Sequence, residues 1–137
     1  MPDFTHLVNF SPEKDPKIRW DKVDPEAIEM LDAARDIAGV PFVITSHYRS
    51  PEHSVAVGGF NGDAHTEEPC GAFDIAFTDT LQLFSIIQGV VVAGFQRIGI
   101  NPLNNHVHVD HSSKLPTPRF WIEGVKKDTP APPLPQA

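Results

Sequence analysis

The run His106-Val107-His108-Val109-Asp110-His111 decides how the rest of the chain is read. Successive side chains of a strand point to opposite faces, so His106, His108 and Asp110 share one face while Val107 and Val109 take the other. The valines predict a core beneath the strand. Two imidazoles and a carboxylate on the opposite face are a costly use of a sheet unless they bind something. Two readings stand: an edge strand whose polar face meets water, or one wall of a site. Just upstream, Arg97–Ile100 reads as a partner strand, joined through the turn Asn101-Pro102-Leu103-Asn104-Asn105.

Moving outward, residues 71–77 (GAFDIAF) read as another strand. Phe73, Ile75 and Phe77 imply a buried face, and Asp74 and Ala76 occupy the other. A carboxylate in mid-strand needs a partner, because an unpaired buried charge is costly. That partner is either Arg49 or Arg97 in an ion pair, or a metal ion. His65 lies nine residues before Asp74, in a loop running from Asn61 to Pro69. Two imidazoles, one carboxylate and a water make the four-coordinate set of a catalytic zinc site. A third piece, Thr45-Ser46-His47-Tyr48-Arg49-Ser50-Pro51, follows the short β-branched run PFVITS. An arginine at such a strand-to-loop junction can reach across a cleft with its fork of donors, or lie on the surface capped by Asp63 or Glu52. Tyr48 reads as packed.

The remaining elements alternate. Asp24 then Pro25 is a helix-start pair, followed by Ile28, Leu31, Ala34 and Ala38 at helical spacing, with Gly39 as the stop. Ser50-Pro51 opens a second short helix ending at Gly58-Gly59. Residues 79–93 suit a buried helix with Leu81, Phe84, Ile87 and Val91 along one stripe. The order predicts an α+β domain, a small and mainly antiparallel sheet with helices packed on it. Residues 1–20 are irregular, with Phe4, Leu7, Phe10, Ile18 and Trp20 expected to wrap onto the domain. The last ten residues, DTPAPPLPQA, hold four of the 14 prolines. They predict a disordered tail over 128–137, leaving a single domain over 1–127.

Composition narrows the function. At 137 residues and 40% hydrophobic content the chain fits one globular domain. A net charge of −7, with 11 lysines and arginines and no basic block, argues against a nucleic-acid partner. The single cysteine, Cys70, excludes an internal disulfide and a Cys-rich zinc module. The apolar run at Ile86–Phe95 is about half a membrane span and is interrupted by Gly89 and Gly94. The start, MPDFTHLVNFSPEKD, lacks the features of a signal peptide, so synthesis in a cytoplasm is expected. A monomer is expected. His6, His53 and His111 read as surface residues. The H-x-H-x-D-H run also matches the metal motif of metallo-β-lactamase-type hydrolases, but that fold needs further ligands downstream and no histidine follows His111. An amidohydrolase barrel would need about 250 residues.

Taken in order, Ser46-His47-Tyr48-Arg49-Ser50, then Asp63-Ala64-His65 through Asp74-Ile75, then His106-Val107-His108-Val109-Asp110 resemble the zinc D-alanyl-D-alanine carboxypeptidase family of peptidoglycan peptidases. Its fold is shared with the hedgehog signalling domain, and the likeness covers roughly residues 9–112. The resemblance implies one Zn²⁺ held by His65, Asp74 and His108, with His106 as catalytic base and Arg49 as electrophile or substrate clamp. Behind the ligands stand Ser46 and Asp110. Asp110 either orients a histidine through its second ring nitrogen or faces water at the strand end. The implied reaction is metal-assisted hydrolysis of a cell-wall stem peptide beside a D-amino acid, by a carboxypeptidase or an endopeptidase. By analogy, a lone domain of this kind fits a bacteriophage lysis enzyme or a virion wall-cutting component, although its negative charge runs against an anionic wall. The rival is a non-catalytic, zinc-stabilised binding module of the hedgehog type. Three positions depart from the family pattern: His47 replaces a glycine, Asp63 replaces a serine, and the His65–Asp74 interval is longer. In that longer loop Glu67 and Glu68 either compete for the metal or are solvated.

Overall fold

Asp24 accepts hydrogen bonds from the backbone N–H groups of Glu26 and Ala27, and Pro25 follows as the first helical residue. This starts α1, Pro25–Ala38, which Gly39 ends in the left-handed conformation at φ 69°. A computed structural model describes residues 2–57 and 62–123. After α1 come β1 (Val43–Ser46), α2 (Pro51–Ala56), a 3₁₀ turn (Ala64–Thr66), β2 (Ala72–Ala76), α3 (Thr80–Val92), β3 (Arg97–Asn101), β4 (His106–Asp110) and β5 (Arg119–Ile122). The expected end of α2 at Gly58-Gly59 and the expected tail over 128–137 lie outside the described residues.

The five strands form one sheet in the order β1-β2-β4-β3-β5. Three pairings are antiparallel, β1 with β2, β2 with β4 and β3 with β4. β5 joins β3 in parallel, so the sheet is mixed. α1 and α3 cover one face, burying Ile28, Leu31, Ala34, Ile86 and Val90 against Phe73, Ile75, Ile98, Val107 and Val109. Phe10, Ile18 and Trp20 from the irregular N-terminal segment close the core, with Phe4 and Leu7 packed on its margin. Asp74, His108 and Asp110 emerge on the opposite face, which leaves that face free to carry chemistry.

Two expectations need correction. The stripe assigned to α3 is not its buried face: Leu81 is 75% exposed and Phe84 65%, Val91 is also exposed, and Ile87 is half-buried. The helix turns Ile86, Gly89 and Val90 inward instead. Gly89 sets the contact with α1, since a Cβ there would press on the Ala34 carbonyl and lie 2.9 Å from the Ala38 methyl. α3 is apolar nearly all round, so its pattern alone cannot choose a face. The second correction is β5, a strand the sequence reading did not contain.

Candidate metal centre

β2 and β4 are direct neighbours, with Asp74 opposite His108 in the register. The 3₁₀ turn brings in His65. Asp63 caps that turn by accepting from the His65 backbone N–H at 2.9 Å, and the Arg49 backbone N–H donates to the His65 carbonyl at 2.8 Å. These ties return the longer loop to the sheet. Three atoms then converge: His65 Nε2, Asp74 Oδ1 and His108 Nδ1, each 3.2 Å from the other two. All three side chains are buried.

The outer ring nitrogens fix which atoms face inward. His65 Nδ1 donates to the His47 carbonyl. His108 Nε2 donates to Asp110 Oδ2 at 2.7 Å, and Asp110 is held in turn by Arg97 Nε at 2.8 Å and the Ser112 backbone N–H at 3.1 Å. With the outer nitrogens protonated, each neutral ring turns a lone pair inward. Ligands about 2.0–2.1 Å from a tetrahedral centre stand about 3.3 Å apart, close to the spacing seen here. Two imidazoles and a carboxylate match the donor set of zinc, so the residues fit a divalent cation. Among the described residues this is the group able to hold a metal.

The same electrostatics appear in the proton affinities. Burial opposes charge on Asp74, but the neighbouring imidazoles of His108 and then His65 outweigh it and hold the carboxyl well below the usual range. Burial likewise opposes charge on His108, yet Asp110 and Asp74 raise its imidazole to about 10. Carboxylates on both sides make a proton on His108 the substitute for a cation, and the two compete for one lone pair.

The sequence matches the family model for Peptidase M15 over residues 10–110. The chain belongs to the peptidase M15 family. No curated protein matches it. Peptidase M15 is a family of zinc peptidases, which agrees with the donor set built by β2, β4 and the 3₁₀ turn.

The other residues singled out from the sequence lie around this centre. His106 Nε2 lies 3.8 Å from Asp74 Oδ2 and 3.1 Å from Glu123 Oε1. Partial burial works against a charged His106, but Glu123 and then Asp74 outweigh it and raise the imidazole above its ordinary value. Arg49 points its Nη2 toward Asp63 Oδ2 at 3.8 Å, while its buried Nε has no acceptor among the described residues. Ser46 pairs with Asp74 across the β1–β2 irregularity. Neither arginine considered as a partner for Asp74 pairs with it, since Arg97 serves Asp110 and Arg49 faces Asp63. Glu67 and Glu68 lie outside the converging group and are engaged elsewhere: Glu67 accepts from Ser112 Oγ at 2.6 Å and Glu68 pairs with Lys22 at 2.6 Å. Tyr48 packs beside Ala64, Cys70 and Ala72.

Four contributors escaped the sequence reading. His47, buried where the family has glycine, accepts from the Arg19 backbone N–H, donates to the Cys70 carbonyl and stacks on Phe73. Its own carbonyl then orients His65. Arg97 holds Asp110. Trp121 tilts against His108 with ring centres 5.4 Å apart, and Glu123 meets His106. The aromatic and β-branched run Phe120-Trp121-Ile122 carried a strand signal that could have exposed the last two.

Proposed function

We propose that this chain hydrolyses peptide bonds next to D-amino acids in peptidoglycan stem peptides, with His65, Asp74 and His108 holding one Zn²⁺. The observation that carries the proposal is the convergence of three lone pairs beside an acid–base pair, His106 with Glu123, and an arginine, Arg49, whose buried Nε has no acceptor among the described residues. A bound zinc ion would lower the pKa of water toward neutrality and polarise the scissile carbonyl. Asp110 and the His47 carbonyl keep the ligand rings oriented, so the site needs little rearrangement to bind. His106 takes the proton of the attacking water and passes it to the departing amine. Arg49 offers its guanidinium to the oxygen on which negative charge develops. Ser46 supports the strand position of Asp74 from β1. The peptide substrate, rather than a nucleic acid or a membrane, is the partner. No helix among the described residues is long and apolar enough to cross a membrane. The setting proposed, on resemblance alone, is a phage lysis enzyme or virion component that is made in a cytoplasm and acts on the wall as a monomer.

The test is mass spectrometry of muropeptides after incubation with the zinc-loaded chain. Products cut beside a D-amino acid are expected, and their masses distinguish carboxypeptidase from endopeptidase action. His106→Ala should abolish cleavage while zinc stays bound. Intact muropeptides across several wall chemistries, from fully metallated protein, would overturn the proposal in favour of a zinc-stabilised binding module.

A further inference from the structure

The family match ends at Asp110, and the strand beyond it completes the site. β5 runs parallel to β3 and places Trp121 opposite Gly99. A Cβ at Gly99 would lie 2.5 Å from the indole, so the missing side chain is what lets Trp121 lie against the sheet. From this seat the indole Nε1–H donates to Glu123 Oε2 at 3.2 Å. The other oxygen, Oε1, faces His106 Nε2 at 3.1 Å. Each oxygen of the half-buried carboxylate thus meets one ring nitrogen. An ionised carboxylate only accepts, so the shared proton belongs to Nε2 of His106, and an indole N–H only donates, so Trp121 fixes which way the carboxylate is used.

We propose that Glu123 is a positioning residue for His106, holding the imidazole in its Nε2–H form and in one orientation, and that Trp121 holds Glu123. This rests on the reading of His106 as the acid–base group. With Nε2–H held by Glu123, Nδ1 is the ring nitrogen left with a lone pair to take the proton of the attacking water, the logic by which a carboxylate on one ring nitrogen serves a catalytic histidine in hydrolases of other folds. A merely structural Glu123 would anchor the end of β5 and leave the histidine's tautomer to chance.

Glu123→Gln separates these roles. The indole can only donate, so the carbonyl oxygen of the new amide must face Trp121, which turns the NH₂ group toward His106 Nε2. Two donors cannot face each other, and the ring is forced into the Nδ1–H form. In the zinc-loaded full chain, long-range ¹H–¹⁵N spectra should show His106 as Nε2–H in the wild type and Nδ1–H in Glu123→Gln. Zinc stoichiometry should be unchanged. On muropeptides kcat should fall about a hundredfold or more, with KM changed by less than about threefold. Adding Trp121→Phe frees the amide to turn round, so the double variant should regain the Nε2–H form and most of kcat. An unchanged tautomer in Glu123→Gln, or an inverted tautomer without loss of kcat, overturns the proposal. If the wild type cleaves nothing, the peptidase reading fails, while the spectra still decide whether Glu123 sets the His106 proton.

Discussion

Each ring nitrogen turned toward the candidate metal position is made available by a hydrogen bond on the far side of its ring. His108 depends on Asp110, so Asp110→Asn should weaken zinc binding about 10–100-fold, read by competition against a chromogenic chelator. Removing a ligand itself, as in Asp74→Ala, should cost more than this. His47 works differently, because it is buried and neutral. Burial lowers its imidazole to about 4 from an ordinary 6.5. Between those values the unfolded chain binds a proton that the folded chain refuses. The contribution is therefore complete above about pH 6.5 and is lost as pH falls toward about 4, by at most about 3 kcal/mol. Urea melts of wild type and His47→Gln at pH 7 and pH 5 should show the wild type losing about 2 kcal/mol more than the variant on acidification. Parallel losses would mean that His47 does not titrate in this way.

Among the elements, α3 makes the sharpest distinction between composition and placement. Its outward residues contribute little to the core, whereas Ile86 is wholly buried between α1 and the sheet. Ile86→Ala should destabilise by about 2–4 kcal/mol, and Leu81→Ser should stay within about 0.5 kcal/mol. Chemical denaturation of both variants checks this, and a reversed order would show the helix turned the other way. β5 illustrates the same point from the edge of the sheet. Its pairing with β3 does little for the core, since Phe120 and Ile122 stay exposed. It nonetheless delivers Trp121 and Glu123 to the site face.

At the scale of the molecule, the candidate metal centre joins a 3₁₀ turn to two strands, with His65 nine residues before Asp74 and His108 thirty-four after it. Binding to such a preassembled site favours the folded state. Zinc at a thousand times its Kd should add about 4 kcal/mol to stability. Thermal melts with zinc and with excess chelator should separate accordingly for the wild type and coincide for Asp74→Ala. The sequence by itself determined the local order: the cap and stop of α1, the strands carrying Asp74 and His108, and the shared face of His106, His108 and Asp110. These follow from periodicity and capping, which act within a few residues and are written in adjacent positions. Only the tertiary structure decided that Arg97 serves Asp110 and not Asp74, which face of an almost wholly apolar α3 is buried, and that Glu123 meets His106. Those facts depend on strand order and on which surfaces meet. Register and packing are set by the whole set of neighbours competing for burial, and no short stretch of sequence contains them.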